Sequence, residues 1–251
     1  MVFGDGSNEK IHNVAGVRLS AVSAGIRYQD KLDLVLIELS EQTTVVGAFT
    51  QNAFCAAPVV IAKSHLSSHD PRVFVINTGN ANAGTGDIGQ KHALESCQIV
   101  AKHAGVAIQQ VLPFSTGVIG EELPIDKFLA GVPKALLCLD EGAWEDAAIG
   151  ILTADTRPKL VSKQIELAGS LLTITGMAKG SGMIRPNMAT MLSYVFTDAL
   201  VEKELLDEII VQLLDKSFNR ITVDGDTSTN DAAMLVATGK SGVSISELDN
   251  A

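Results

Sequence analysis

The chain has 251 residues, 46% of them hydrophobic, enough to bury the core of one large domain or two small ones and too apolar for a disordered chain. A formal net charge of −10 argues against nucleic acid and anionic membrane surfaces as partners, since both are bound through clustered lysine and arginine. No apolar run reaches the ~18–20 residues of a membrane span, and the opening MVFGDGSNEKIHN has no basic-then-apolar secretory pattern, so a cytoplasmic protein is expected.

Taken in chain order, residues 32–39 (LDLVLIEL) predict a strand with a strongly apolar face, and 45–49 predict a second. Residues 73–77 (VFVIN) predict a short buried strand that ends in a glycine- and asparagine-rich loop, TGNANAGTGDIG. A helix over 90–103 would carry Ala93, Cys97, Val100 and Ala101 on one face. Further helices are expected over 126–139 and 143–152, and a hairpin over 164–175 around Ala168-Gly169-Ser170. Residues 190–197 (TMLSYVFT) are rich in β-branched and aromatic residues and predict a strand. The clearest helix spans 202–218, with Leu205, Ile209 and Leu213 beside Leu206, Ile210 and Leu214 as two i, i+4 rows. Residues 221–223 read as a strand feeding the polar loop DGDTSTND, and 232–238 as an apolar element. This mixed order predicts an α/β or α+β sandwich.

The cysteines Cys55, Cys97 and Cys138 are odd in number and far apart, which argues against a zinc site or a disulfide framework. Cys97 and Cys138 fall in apolar helical patterns, where a buried inert thiol is expected; Cys55, in a loop, is the one candidate for reactivity. A reduced compartment is expected. The five histidines form no metal spacing and none is paired with an obvious nucleophile.

Two motifs suggest other chemistry. Residues 84–89 (GTGDIG) fit GxGxxG, but six loop residues separate them from Asn77 and no acidic strand end follows at the required distance. Loop packing around Asn80 and Asn82 is the better reading. The run Asp224-Gly225-Asp226-Thr227-Ser228 resembles the first motif of haloacid-dehalogenase-type phosphatases, yet only 25 residues follow Asp226. An Asx-rich turn is favoured over a Mg²⁺ site. The stretch 114–120 (FSTGVIG) reads as a loop able to aim backbone N–H groups and a hydroxyl at an oxyanion.

The most informative stretch is KGSGMIRPNMATML (179–192). Glycine, proline and asparagine break regular structure just before a strand that opens with Thr190. Cutting the Ala189–Thr190 bond would free an α-amino group that can act as base for the threonine's own hydroxyl.

At this stretch the chain resembles the ornithine acetyltransferases, or glutamate N-acetyltransferases, of arginine biosynthesis. VAGVRLSAVSAGIRY (14–28), GAFTQNAFCAAPV (47–59), INTGNANAGTG (76–86), STGVIG (115–120), TADTRPK (153–159) and VDGDTSTND (223–231) carry the resemblance in the family's order over residues 12–240. It implies a four-layer αββα sandwich similar to the DmpA aminopeptidases, with chemistry like that of N-terminal-nucleophile hydrolases. It implies a precursor that cleaves itself between Ala189 and Thr190 into an α region (1–189) and a β region beginning at the nucleophile (190–251), the two chains commonly forming an α₂β₂ heterotetramer.

The implied reaction moves an acetyl group from N-acetylornithine to glutamate, by a ping-pong route through acetyl-Thr190. Thr116 and Gly117 would form the oxyanion hole. Thr153, Lys179 and Thr190 would contact substrate, and no cofactor or metal is required. Some members also accept acetyl-CoA. Family members continue beyond residue 251, where a glutamate, an asparagine and a hydroxyl residue also bind substrate, so the chain is expected to be a C-terminally shortened form. A related threonine-nucleophile aminopeptidase or amidase, or an inactive substrate-binding fragment, are the alternatives.

Overall fold

A computed structural model describes residues 10–167, 169–184 and 191–247. In chain order the strands and helices are β1 (Val17–Val22), β2 (Leu34–Leu39), β3 (Thr44–Phe49), α1 (Ala57–Ser68), β4 (Val73–Asn80), α2 (Gly86–Ala104), β5 (Val111–Val118), α3 (Ile125–Leu137) and α4 (Trp144–Gly150). There follow β6 (Lys159–Leu167), β7 (Ser170–Lys179), β8 (Leu192–Thr197), β9 (Leu200–Val201), α5 (Lys203–Lys216), β10 (Ala232–Ala237) and β11 (Ser244–Ile245).

These strands form two main sheets, ordered β1-β2-β4-β5 and β3-β10-β8-β7-β6, with β9 and β11 as a small parallel pair. Both main sheets are mixed. In the first, only β4 and β5 run parallel; in the second, only β8 and β10 do.

The sheets pack face to face because both are apolar on the facing side. Leu19, Val35, Ile37, Phe74, Ile76 and Leu112 of the first meet Val45, Met177, Leu192, Tyr194, Phe196 and Met234 of the second in one core. Aromatic edges lock the layers: Phe114 meets Tyr194 at 5.3 Å and Trp144 of α4 meets Phe196 at 5.4 Å. Such pairs add about 0.5–1.5 kcal/mol each beyond area burial.

On the outer side of the first sheet, α2 and α3 bury Cys97, Val100, Phe128 and Val132. On the outer side of the second, α5 buries Leu206, Ile210 and Leu214 over Val46, Ala233 and Leu235. The layering is therefore αββα, as expected.

Several local expectations change. The strand expected over 73–77 runs on to Asn80, and α2 starts at Gly86, so the last two glycines of GTGDIG lie in the helix. Gly89 is needed for packing, since a Cβ there would lie 2.2 Å from Thr85 Oγ1. The stretch expected as a loop at 114–120 is mostly strand, the end of β5. Residues 221–223 pair with no strand among the described residues, and Ile221 and Val223 are exposed. Of the two rows on α5 only Leu206, Ile210 and Leu214 are buried, while Leu213 is exposed. Cys138 is exposed at the end of α3, whereas Cys97 is buried with its thiol pushed up to about 12 by desolvation. The tip residue Ala168 of the 164–175 hairpin lies outside the described residues, although β6 and β7 pair along their length. Among the described residues no helix is long and apolar enough to cross a membrane.

Candidate active site

Thr116, Gly117, Thr153 and Lys179 line one cleft of about 390 Å³. They meet because of strand direction. β4, β5 and β7 end, and β2, β8 and β10 begin, at the same end of the sandwich, as their parallel and antiparallel pairings require. The turn after α4 brings Leu152, Thr153 and Ala154 to the same wall. Thr78 ties that turn down, donating its hydroxyl to the Gly150 carbonyl at 2.6 Å.

The Thr116-Gly117 pair sits where β4 and β5 leave regular register: Gly79 opposes Gly117, and Asn80 opposes both Thr116 and Val118. Gly117 has φ +138°, and a Cβ on it would lie 2.2 Å from the Gly79 carbonyl carbon. Only glycine fits two backbones at that separation.

Buried amides fix this corner. The Asn77 side chain donates to Asn80 O (2.8 Å) and accepts from the Ser115 hydroxyl. Asn80 Oδ1 accepts the Asn82 N–H (2.7 Å), and Asn82 Nδ2 donates to Gly89 O (3.0 Å). Asn230 reaches across from the other sheet, its Nδ2 donating to Ala81 O (2.6 Å) and Ser115 O (3.0 Å). The loop holding Asn230 is docked by Thr50 and Asn52, which donate to Ser228 O (2.7 Å) and Thr227 O (2.8 Å). Loop 227–231 thus belongs structurally to the Thr116 corner.

Lys179 ends β7 and pairs with Leu192 of β8; Leu192 in turn pairs with Ala232 of β10. Ala189 and Thr190 lie outside the described residues, and the described chain resumes at Met191, whose carbonyl accepts the Ala232 N–H at 3.1 Å. Strand β8 therefore starts between Lys179 on one side and the residue after Asp231 on the other.

Electrostatics at this point are strongly perturbed. Desolvation pulls the Lys179 ammonium below the usual lysine range, opposed by the charges of Asp155 and Asp231. Asp231 is 3% exposed, and burial pushes its carboxyl up to about 7 against the pull of Lys179 and a bond from Ser228. Burial also acts on Asp155, but Lys159 and the Gly180 N–H outweigh it and hold its carboxyl below the ordinary value. Shifts of this kind, produced by desolvation beside a charged partner in a cleft, make these residues functional-site candidates.

Across the cleft, Asp33 takes the N–H groups of Ala24 (2.7 Å) and Ile26 (2.6 Å), which shapes the loop carrying Arg27 and Tyr28 to the mouth. Arg27 is held there by Glu121 at 2.8 Å.

The two competing motifs resolve into structure. Asp224 receives the N–H groups of Met183 (2.6 Å) and Ile184 (2.8 Å), holding Met183 at φ +56° on the cleft wall. Its oxygens satisfy loop backbone groups, as the Asx reading expected, but chiefly those of a different loop; within its own turn only the Asp226 N–H reaches it, at 3.4 Å. Among the described residues no group of three or more metal-ligating side chains is placed to hold an ion.

Comparison with known proteins places this geometry in a family. The model of the ArgJ family matches residues 18–251. The chain belongs to the ArgJ family. The "arginine biosynthesis bifunctional protein ArgJ" of Psychrobacter arcticus is 54% identical over 231 residues, covering 92% of this chain and 57% of that protein. The chain thus spans little more than half the length of that curated relative. A solved ornithine acetyltransferase from Mycobacterium tuberculosis, complexed with ornithine, is 34% identical with a TM-score of 0.65, covering 70% of this chain and 94% of that chain. The ArgJ structure from Bacillus halodurans is 31% identical with a TM-score of 0.64, covering 70% of this chain and 92% of its own.

Sequence reasoning missed Asp231, Asn230, Asp155 and Asp33. All but Asp33 lie in segments that carry the family resemblance, TADTRPK and VDGDTSTND. The available signal was an acid placed directly before a fully apolar run, Asp231 ahead of AAMLVA, or directly before LVLIEL, as Asp33 is. A carboxylate at the mouth of a buried strand is costly to desolvate and calls for a reason.

Proposed function

We propose that the chain transfers an acetyl group from N-acetylornithine to glutamate through an acetyl-Thr190 intermediate, after self-cleavage between Ala189 and Thr190. The observation that carries this reading is the convergence of Thr116, Gly117, Thr153 and Lys179 on one cleft at the end of the sandwich where β8 begins.

In the proposed mechanism Thr190 Oγ attacks the Ala189 carbonyl, and water hydrolyses the resulting ester. The freed α-amine, with a reference pKa of about 7.7–8.0, is partly neutral near pH 8 and accepts the hydroxyl proton. Thr190 Oγ then attacks the acetamide carbonyl of N-acetylornithine. Thr116 and Gly117 hold the oxyanion, the C–N bond breaks, and ornithine leaves with the proton. Glutamate reverses these steps on the acetyl ester. One oxyanion donor of this kind is worth about 10²–10³ in rate. Lys179 holds the substrate α-carboxylate and Thr153 lines the acyl path. Desolvation makes the Lys179 charge more effective there than on the surface.

The family and the ornithine complex of the tuberculosis relative support the substrate class. That relative's solved chain is shorter than this one, whereas the curated proteins are longer, as a precursor divided in two would give. The word bifunctional in the relatives' names supports a second donor, for which acetyl-CoA is proposed. An α₂β₂ assembly working in the cytoplasm without a metal or cofactor completes the reading.

The test is acetyl transfer measured with and without glutamate. Ornithine release that goes beyond one equivalent per chain only when glutamate is present, with N-acetylglutamate formed in equal amount to that excess, is expected. Hydrolysis unaffected by glutamate would assign the chain to the amidase class instead.

A further inference from the structure

Asp231 lies at the start of β10 with its backbone carbonyl tied to the Thr50 N–H at 2.9 Å. Its side chain lines the cleft beside Lys179, and the residue is 3% exposed. Its Oδ2 is buried and has no hydrogen-bond partner among the described residues. A buried carboxylate oxygen with no donor is costly to the fold. The cost is offset when a ligand brings the donor.

The partner geometry narrows which donor. Lys179 and Asp231 flank the two ends of the same sheet step, through the pairs Lys179–Leu192 and Leu192–Ala232. A cation and a carboxylate so placed match the two charges of an α-amino acid. We infer that Asp231 binds the free amino group of the amino-acid ligand, glutamate as acceptor or ornithine as product, while Lys179 binds its carboxylate. This rests on reading the cleft as an amino-acid acetyl-transfer site. Asp231 is then a substrate-binding residue that selects free amino acids over their desamino analogues. N-acetylornithine, whose α-nitrogen is already acylated, does not use it.

The charged groups facing Asp231 are Lys179 from β7 and, behind it, Asp155 with Lys159; Ser228 donates from its own loop. Arg27, Lys31 and Asp33 line the opposite wall.

The test is calorimetric binding of L-ornithine and its desamino analogue 5-aminopentanoate to the wild-type chain and to Asp231→Asn at pH 8, with acetylation of the wild type by N-acetylornithine followed separately by mass spectrometry. The wild type should prefer ornithine over 5-aminopentanoate by about tenfold or more, the worth of a charge-assisted hydrogen bond. Asp231→Asn should bind the two within about threefold by losing ornithine alone. A preference that survives in Asp231→Asn, or is absent from the wild type, overturns the assignment. Failure of N-acetylornithine to acetylate the wild type overturns the underlying reading of the cleft instead, which keeps the two failures apart. A wild-type series guards against a misfolded variant. The ornithine preference should fall as pH drops through about 7 and the carboxylate takes up a proton, and a preference flat from pH 8 to about 5.5 also contradicts the assignment.

Discussion

Lys179 and Leu192 are paired across β7 and β8, so the chain that leaves the second sheet returns to it at the adjacent position. Leu192 is also bound on its other side by Ala232. A break at Ala189–Thr190 therefore lies between two positions that the sheet itself holds together. β8 stays paired to β7, β10 stays paired to β3, and α5 still covers Val46 of β3. The two pieces are expected to co-elute on gel filtration at the size of the uncut chain, while separating on a denaturing gel. Two separate peaks under native conditions would contradict this.

Gly117→Ala should be among the most damaging single methyl additions. The new Cβ would meet the Gly79 carbonyl carbon at 2.2 Å and Asn80 N at 2.4 Å, at a φ that L residues rarely adopt. A cost above about 2 kcal/mol is expected, together with loss of acetyl transfer. Thermal unfolding measured beside Gly169→Ala, whose added Cβ meets nothing within 4 Å, separates the steric effect from the shared backbone one.

Asn230→Ala removes the donor for the Ala81 and Ser115 carbonyls, both buried beneath the Thr116 corner. About 2–3 kcal/mol of stability should be lost. Urea unfolding in a Thr190→Ala background, which the proposed mechanism leaves in one piece, should read this as a lower midpoint with the same slope. An unchanged midpoint would show that this side chain does not hold loop 227–231 to the first sheet.

The burial of Asp231 makes a signed prediction about stability. Its folded pKa, about 7, lies above the ordinary carboxyl value. Such a group supports the fold fully below the unfolded value and loses that support as pH rises through the folded one. Asp231→Asn should therefore be more stable than the wild type at pH 8, by up to a few kcal/mol. The difference should vanish near pH 4. A variant less stable than the wild type at pH 8 would mean that Lys179 more than offsets the desolvation. Gained stability together with lost ornithine preference is the pattern of a site that gives up stability for function.

Much of this was legible in the chain, and the parts that were not share a cause. β2, β8 and α5 were readable because their apolar residues follow one period against one core. Helix α1 was overlooked because AAPVVIAKSHLSS opens with proline and β-branched residues and gathers no single apolar stripe; it is wedged between β5 and β3. The strands at 77–80 and 115–118 look like loops because asparagine, threonine and glycine usually break strands. Here they form a bulged parallel pair whose buried side-chain amides are satisfied by nearby backbone groups and the Ser115 hydroxyl. The candidate site splits the same way. Thr116, Gly117, Thr153 and Lys179 were named from family resemblance, whereas Asp231 and Asn230 looked like turn residues. Only the folding of loop 227–231 against β5 and β7 gives them a place in the cleft.

The central claim is that Thr190 becomes a free N-terminal nucleophile and carries the acetyl group. Intact-mass spectrometry of the purified chain before and after N-acetylornithine tests it most directly. The account predicts two species whose masses divide the chain between Ala189 and Thr190, with one added acetyl on the species that begins at Thr190. A single uncut species that still transfers acetyl to glutamate, or an acetyl group carried elsewhere, would contradict it.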